Sequence, residues 1–593
     1  MTKAKAAVVA AVSLISDDPA IQKPRLTKLI VKNFRCIGTT PVSIDLNDIV
    51  VLVGANNVGK SSILKAYELA MSQGSNKGKL KIEDFPNNKI DTDNLPEIEL
   101  HTIVYDNSPG VKWITILPND ERLVKERWIW ANEGDPKREG WDAEANVWSE
   151  QVPWGAPNVA NSRRPEPHRV DAFDPPEEQA TAIKDLLMKA VNDKVKNLKG
   201  ANQDEEENEY HQLLGKVKEL QKKIVADSQE QIDAVNVELS LQFEKVFPNY
   251  KIDFDAKPED NLDKTINLFK ADPQLLMGPV GGYLSTIERQ GSGARRTLLW
   301  TALKFISENN QKGKDEATVR PHLLLIDEPE ICLHPNAIRD ACSVLYDLPN
   351  SGNWQVMVTT HSPIFIDFSR DNTTIVKVEK NAAGTIQGTT VFRPETAQLG
   401  DDDKRNLKLL NLCDPYVAEF FFGGKVIVVE GDTEYTAFNY IKAGNPEAYK
   451  DIHIIRARGK ATIVSLVKIL NHFGSSYSVL HDSDTPLTAN GAMANPAWGN
   501  NPNILAAIAA KPAGTQTRLL ASLPNFEQAY FGEVIATEKP YNALRTITEQ
   551  PAKFAIVETL LQALINHNAA IPDNCAEWTT IDDLREKLEA VAV

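Results

Sequence analysis

Ten residues, Lys425-Val-Ile-Val-Val-Glu-Gly-Asp-Thr-Glu434, constrain this chain more than any other stretch. The β-branched run Val426–Val429 reads as a buried parallel strand, and Gly431 lets the backbone turn sharply at its end. Glu430 is thereby predicted at the carboxyl edge of a sheet, where open α/β folds hold their ligands. Glu434 follows one helical turn later and can face the same space. A second short apolar strand, Tyr477–Leu480, runs into His481-Asp482-Ser483-Asp484. Acids one residue apart at a strand end can converge on a hard divalent cation, because Mg²⁺ prefers oxygen ligands. Glu430, Glu434, Asp482 and Asp484 therefore form a candidate metal site. The competing reading is a solvated acidic loop at each strand end.

The ordered set, strand-Glu-Gly, helix, strand, helix, strand-Asp-x-Asp, resembles the Toprim domain of topoisomerases, primases and nucleases. It occupies a small part of 593 residues. A chain this long exceeds what one core supports, so two or three domains are expected. Five cysteines are scattered without a Cys-x-x-Cys pair, which argues against a zinc ribbon or a disulfide frame and suits a reducing, cytoplasmic setting. A net charge of −16 argues against a protein that coats DNA generally, although local patches, not the sum, decide binding. Lys3, Lys5 and the run Ala6–Ile15 imitate a secretory signal but are short and precede a nucleotide-binding pattern, so residues 1–25 are read as an N-terminal arm. No stretch is long enough to span a membrane.

That nucleotide-binding pattern follows three strands, Leu26–Arg35, Val42–Leu46 and Ile49–Val53. The last runs into Gly54-Ala-Asn-Asn57-Val-Gly59-Lys60-Ser61-Ser62 and a helical Ile63–Met71. Strand before and helix after is the context a P-loop requires: its backbone N–H groups wrap phosphates, Lys60 supplies charge and Ser61 can ligate Mg²⁺. Leu323–Ile326 is a buried strand ending in Asp327 and Glu328, suited to hold Mg²⁺ and to orient the attacking water. Val356–Thr360 ends in His361, suited to contact a γ-phosphate. Ser292 and Gly293, within Gly291-Ser-Gly-Ala-Arg-Arg296, open a further helix whose positive end fits a phosphate.

Together these residues resemble the ABC-type ATPases of the RecF and SMC group, as do Asn33-Phe-Arg-Cys-Ile37 and Glu328-Pro-Glu-Ile-Cys-Leu-His-Pro335. The resemblance implies ATP bound between two heads, hence at least a homodimer through the ATPase domains, with tetramers left open. The signature departs from the Ser-Gly-Gly-Gln of transporters, which makes tight ATP binding a safer expectation than fast turnover. Between P-loop and signature an insertion is expected over about residues 109–263. Its tryptophan-bearing first part suggests strands and a long loop. Its second, with Leu187, Val191, Val195 and Leu198 against Leu213, Val217, Leu220 and Ile224, suggests a helical hairpin over about 180–245 that either packs internally or mediates oligomerisation.

The junction with the second half falls near residues 392–403. ATPase, leucine-bearing helix, Glu419-Phe-Phe-Phe422 and the opening strand, in that order, resemble the OLD (overcoming lysogenization defect) family of nucleases, which includes Gabija-type defence nucleases. The expected fold is α/β: an ABC/RecF–SMC-like ATPase over 26–395 with a helical insertion, then a Rossmann-like Toprim domain and helical tail over 396–593. The family adds Glu527, within Leu523-Pro-Asn-Phe-Glu527, as a further metal ligand, and Lys539, within Lys539-Pro-Tyr-Asn-Ala-Leu544, as a transition-state stabiliser with Lys553 as a rival. Arg456, Arg458 and Lys460 at the end of the strand 451–457 can hold a DNA backbone, or simply balance the acids. Five carboxylates exceed what one Mg²⁺ takes and fit two ions flanking a phosphodiester, with Mn²⁺ or Ca²⁺ as alternative occupants.

No Ser-His-Asp or Cys-His arrangement competes, and no segment resembles a topoisomerase DNA gate or a primase zinc module. The expectation is an ATP-binding, metal-dependent DNA endonuclease with Glu430, Asp482, Asp484, Lys539 and Glu328 as catalytic residues. By resemblance it would act in anti-phage defence, with a helicase or reverse-transcriptase partner encoded nearby. The alternative is an ATP-dependent DNA sensor or scaffold of the RecF/SMC type without nuclease activity.

Overall fold

The computed structural model describes residues 24–171, 276–309 and 321–591, apart from short breaks (279–281, 352–353, 368–369, 371, 381–385, 394–396, 398, 414, 423, 489–492 and 533–536), with a few residues between 175 and 184 and residue 219 besides. The expected arm at the N-terminus lies outside them up to residue 23, and so does nearly all of the expected helical hairpin. The chain divides into two compact units: one holds residues 1–182, 291–312 and 316–593, and the other 183–290 and 313–315. In the second unit the described part is a short antiparallel pair, Leu276–Met277 with Ser285–Thr286, followed by a 3-10 turn.

Three sheets organise the first unit. The P-loop strand Ile49–Val53, buried along its whole length, lies inside a six-stranded sheet. The order is Ile386–Phe392, Thr373–Lys380, Ile49–Val53, Trp354–Thr359, His322–Asp327, Glu166–Val170, parallel except for the first pair. Continuous apolar runs rather than alternating ones form these strands because both faces of a parallel sheet are covered. Parallel pairing also puts their carboxyl ends along one edge, which is what gathers residues 54–62, 327–330 and 359–362.

A seven-stranded antiparallel sheet is ordered Val42–Asp45, Arg25–Lys32, Glu97–Val104, Arg122–Ile129, Lys137–Asp142, Val147–Ser149, with Thr115–Ile116 beside Arg122–Ile129. The strands expected from the scattered tryptophans are thus present, and the pairing runs across the boundary expected near residue 109. Glu166–Val170 then joins the P-loop sheet.

The third sheet is ordered Ile452–Arg456, Lys425–Val429, Tyr477–Asp482, Thr517–Ser522, Cys575–Glu577, with only the last pair antiparallel. Val429 pairs with Leu480, so Glu430 and Asp482 emerge side by side from neighbouring strands. One face of this sheet is closed by the helices Asp432–Gly444, Lys539–Glu549 and Pro551–Ile565, which contribute Phe438, Ile441, Ile547, Leu560 and Leu561 to one apolar cluster.

Beneath the antiparallel sheet, Arg164 is fully buried and makes two hydrogen bonds to Glu126, at 2.8 and 3.0 Å, while lying over the Trp128 ring. Arg138 approaches the same carboxylate at 3.4 Å. Removing one partner of a buried pair leaves an uncompensated charge and typically costs about 3 kcal/mol or more, whereas replacing the pair by apolar residues can be neutral. Glu126→Leu, which strands both buried guanidiniums, is therefore expected to destabilise the fold by roughly 3 kcal/mol or more, and Arg164→Met, which leaves Glu126 paired with Arg138, by less. Denaturant unfolding followed by tryptophan fluorescence checks this; an Arg164→Met variant as unstable as Glu126→Leu contradicts it.

Candidate active sites at the strand ends

The loop Gly54–Gly59 turns from strand to helix within a few residues. Gly54 (φ 142°) sits so close to the Val378 carbonyl that a Cβ would meet that oxygen at 2.2 Å, and Asn57 (φ 60°) and Gly59 (φ 95°) also take left-handed backbones. The helix then begins at Lys60. Its ammonium, almost fully buried, lies 3.0 Å from the Gly54 carbonyl, 2.9 Å from that of Ala55 and 2.9 Å from Nε2 of His361. Burial lowers the Lys60 pKa, against the pull of Glu328, Asp327 and Glu330. Burial and that same ammonium keep His361 below its ordinary value, so the imidazole is neutral at pH 7. Ser61 donates to Asp327 at 3.0 Å, and Thr359 donates to the same carboxylate. Of the residues expected around a nucleotide, Lys60 contacts His361, Ser61 contacts Asp327, and Glu328 lies 3.6 Å from His361. Ser62 is buried in the first turn of the helix. Glu328 holds a left-handed backbone (φ 47°), a strained state for a residue with a Cβ that is stored most often at functional sites.

Glu330 escaped the sequence reading. Its carboxylate accepts the backbone N–H groups of His361 (2.6 Å) and Ser362 (3.0 Å) and the Thr360 hydroxyl (2.9 Å). It therefore fixes the turn that presents His361. An acid next but one to Glu328 gives no sequence signal of facing inward rather than outward.

Ser292 opens the helix Ser292–Asn309 and is exposed, while Gly293 packs against the Cys332 carbonyl, which a Cβ would meet at 2.7 Å. Arg296, buried, donates to the Asp171 carbonyl and draws on Glu328 electrostatically. The described contacts of Ser292 and Gly293 do not include the P-loop.

In the third sheet, backbone and side chain interlock. Glu430 Oε2 accepts the Asp482 N–H at 3.1 Å, and Asp482 Oδ1 accepts the Phe526 N–H at 2.8 Å. Gly431 is needed for close approach: a Cβ there would lie 3.2 Å from Glu434 Oε2. Glu527 takes hydrogen bonds from Thr433 (3.1 Å) and Lys539 (3.3 Å). Asp484, at φ 57°, takes one from Lys460 at 2.5 Å. Burial pushes the Glu434 carboxyl up to about 8. Burial, then the charges of Glu434, Glu430, Glu527 and Asp484, raise Asp482 well above its ordinary range. Burial raises Glu430 as well, although Lys460 and Lys539 pull the other way. The five acids expected at the metal site are thus within electrostatic reach of one another, with Lys539 beside them. Lys553 sits in the next helix, Pro551–Ile565.

The donor set fits a hard divalent cation, because every donor is a carboxylate oxygen and five acids outnumber the two ammoniums that touch them. Among the described residues no three of these acids bring an oxygen each within 4.8 Å of one another. Lys460 and Lys539 hold the flanking acids Asp484 and Glu527.

The three cations expected to meet DNA separate. Arg458 is exposed; Arg456 is half-buried against Asp432 and the Tyr435 ring. Lys460 is buried, bound to Asp484 and to the Ala497 carbonyl. It faces the acids from inside.

Residues 25–116 and 172–366 match the AAA ATPase domain family, and residues 421–484 match the Overcoming lysogenization defect protein-like TOPRIM domain. The chain thus joins an AAA ATPase domain to an OLD-like TOPRIM domain. The Old nuclease of Escherichia phage P2 is 22% identical over 478 residues, 78% of this chain and 77% of that one. The OLD nuclease of Thermus scotoductus is 28% identical over 166 residues, 27% of this chain and 30% of that one. Among solved structures, the Smc head domain with an extended coiled coil bound to the C-terminal domain of ScpA, derived from Pyrococcus furiosus, is 16% identical, covering 63% of this chain and 98% of that chain at a TM-score of 0.34. The RecF–ATP structure is 15% identical, covering 57% and 92% at 0.26. Likenesses this partial carry no functional inference. No described helix of the OLD-like chain is long and apolar enough to cross a membrane.

The acid pocket makes stability depend on pH with a definite sign. Glu434 binds its proton more tightly folded than unfolded, so its contribution is complete below the ordinary 4.5 and is lost as pH rises toward about 8. Metal-free OLD-like protein should therefore melt at progressively lower temperature across that window. A divalent cation, which favours the charged carboxylates, should raise the melting temperature more at its upper end than at its lower end. Glu434→Gln should flatten the slope. Thermal unfolding in EDTA and in Mn²⁺ measures it; a slope of the opposite sign would contradict the burial of these acids.

Proposed function

We propose that this chain is an ATP-binding, divalent-metal-dependent DNA endonuclease whose ATPase half controls cleavage by its Toprim half. The observation that carries the reading is the interlocked acid pocket: Glu430, Glu434, Asp482, Asp484 and Glu527 gathered at adjacent strand ends with Lys539 at their rim. The names of the phage P2 and Thermus relatives agree with it.

Bound among these carboxylates, Mg²⁺ or Mn²⁺ would stabilise charge on the attacking and leaving oxygens of a phosphodiester. The chain's own residues supply the rest. Hydrogen bonds from the backbone hold Glu430 and Asp482 in place, so little reorganisation is needed when a charged substrate arrives. Lys539, close to half exposed, can offset charge that builds on a scissile phosphate. Arg458 is the cation of its segment positioned to meet a DNA backbone.

At the other site Lys60 and the P-loop N–H groups would bind phosphates, Ser61 and Asp327 would hold Mg²⁺, and Glu328 would orient water against a terminal phosphate. Glu330 keeps His361 aimed at that position. Ser292 and Gly293, exposed or near the surface at a helix start, suit a phosphate offered from a second copy of the chain, so the working form is a homodimer through its ATPase domains. Anti-phage defence in the cytoplasm is the biological setting in keeping with the OLD relationship, with a nucleic-acid-processing enzyme such as a helicase or reverse transcriptase as candidate partner.

Plasmid incubated with Mg²⁺ or Mn²⁺ should be nicked or cut by the intact chain. Glu430→Ala, Asp482→Ala and Lys539→Ala should each lower the rate on the order of a hundredfold or more. DNA left intact across metals, nucleotides and candidate partners would sink the nuclease reading and favour an ATP-dependent DNA sensor or scaffold. Independently, Lys60→Ala should weaken ATP binding, while Glu328→Gln should keep binding and abolish turnover. Radiolabelled ATP binding and phosphate release distinguish the two; unchanged turnover in both variants contradicts the nucleotide-site assignment.

A further inference from the structure

At the opposite end of the strand that carries Asp327, a second cluster of metal-binding side chains has no part in either site. Glu166, His168 and His322 each bring a ligand atom within 4.8 Å of the other two. Register explains the meeting. His322 pairs with Glu166 on one side and with Trp354 on the other, so all three start their strands in one row. His168, two residues beyond Glu166, projects from the same face. At about 3.3 Å per residue, His322 lies ~16 Å along the strand from Asp327.

We propose that Glu166, His168 and His322 bind a zinc-class transition-metal ion. Spacing is the first support. Two nitrogens bound to one tetrahedral Zn²⁺ at about 2.0–2.1 Å are separated by roughly 3.3 Å. Nε2 of His168 and Nδ1 of His322 lie 3.2 Å apart. Donor chemistry is the second: two imidazoles and a carboxylate suit Zn²⁺, Co²⁺ or Ni²⁺, whereas the all-oxygen acid pocket suits Mg²⁺ or Mn²⁺. The third is the surroundings. The Trp354 ring packs against both imidazoles, with centroids 5.2 Å from His168 and 4.6 Å from His322, and His322 is buried. Glu166 and His168 are only half-buried, which leaves a way in for the ion and room for a water as fourth ligand.

Such an ion would fasten the edge strand Glu166–Val170 to the interior strand His322–Asp327. It would brace the nucleotide sheet from the end remote from ATP. An imidazole–imidazole hydrogen bond with no ion is the competing account of the same 3.2 Å contact.

The full chain is loaded with Zn²⁺ in excess Mg²⁺, so that oxygen-only sites are filled, then desalted and its zinc counted by elemental analysis. Wild type should retain about one zinc per chain more than His168→Ala or Glu166→Gln, and Zn²⁺ should raise the melting temperature of wild type but not of these variants. Co²⁺ loading should give the visible absorption of a tetrahedral nitrogen–oxygen site, lost in His168→Ala. Because both variants change half-buried positions, they test the site even if His322→Gln fails to fold. Equal zinc in wild type and variants, or no cobalt band in wild type, overturns the proposal and leaves the hydrogen bond as the explanation.

Discussion

Burying carboxylates beside one another is among the least favourable things a fold can do, and the third sheet gathers five, Glu434 and Glu527 buried and Glu430, Asp482 and Asp484 partly so. Each acid loses water, and each is repelled by the others, so the group either keeps protons or gains cations. Two features make the arrangement tolerable. Backbone N–H groups of Asp482 and Phe526 point at Glu430 and Asp482, and two lysines reach the flanking acids from opposite sides. Neither feature neutralises Glu434, whose carboxyl burial pushes up to about 8. Much of the surrounding architecture follows from holding these side chains still: parallel strands to align the ends, a glycine where a Cβ would crowd a carboxylate, helices to exclude water.

The nucleotide site is built on the same plan with different content. Parallel strands again bring loops to one edge, but there a single ammonium lies among three acids, and the acid closest to full burial, Glu330, is satisfied by hydrogen bonds alone. Its role is to shape a turn, whereas Asp327 and Glu328 face the space beside Lys60. Two acids of one short motif thus do unlike jobs because one points into the turn and the other out of it.

Much of this was legible in the chain itself. Runs such as Val426–Val429 and Leu323–Ile326 could only be covered strands, and a glycine or an acid after each announced the edge. Strand order brought Glu430 beside Asp482 as their spacing suggested. What stayed hidden was direction. Lys460 begins a helix after a glycine, and nothing local says that it turns inward toward Asp484. Glu330 was masked by its proximity to Glu328. His168 and His322 lie 154 residues apart and meet only because an edge strand pairs in one register, which no local periodicity encodes. The expected hairpin lies outside the described residues.

Lys460 has a mechanical meaning as well. The helix Lys460–His472 begins on an acid of the third sheet's pocket and, two turns on, holds Asp403 of the helix Asp401–Cys413 through Ser465 (2.8 Å) and Lys468 (2.6 Å). Lys460 and Lys468 are separated by about 12 Å along a stiff rod. The helix Asp401–Cys413 stands where the chain leaves the nucleotide sheet for the second half. One helix thus ties the segment that leaves the nucleotide sheet to the ammonium that holds Asp484.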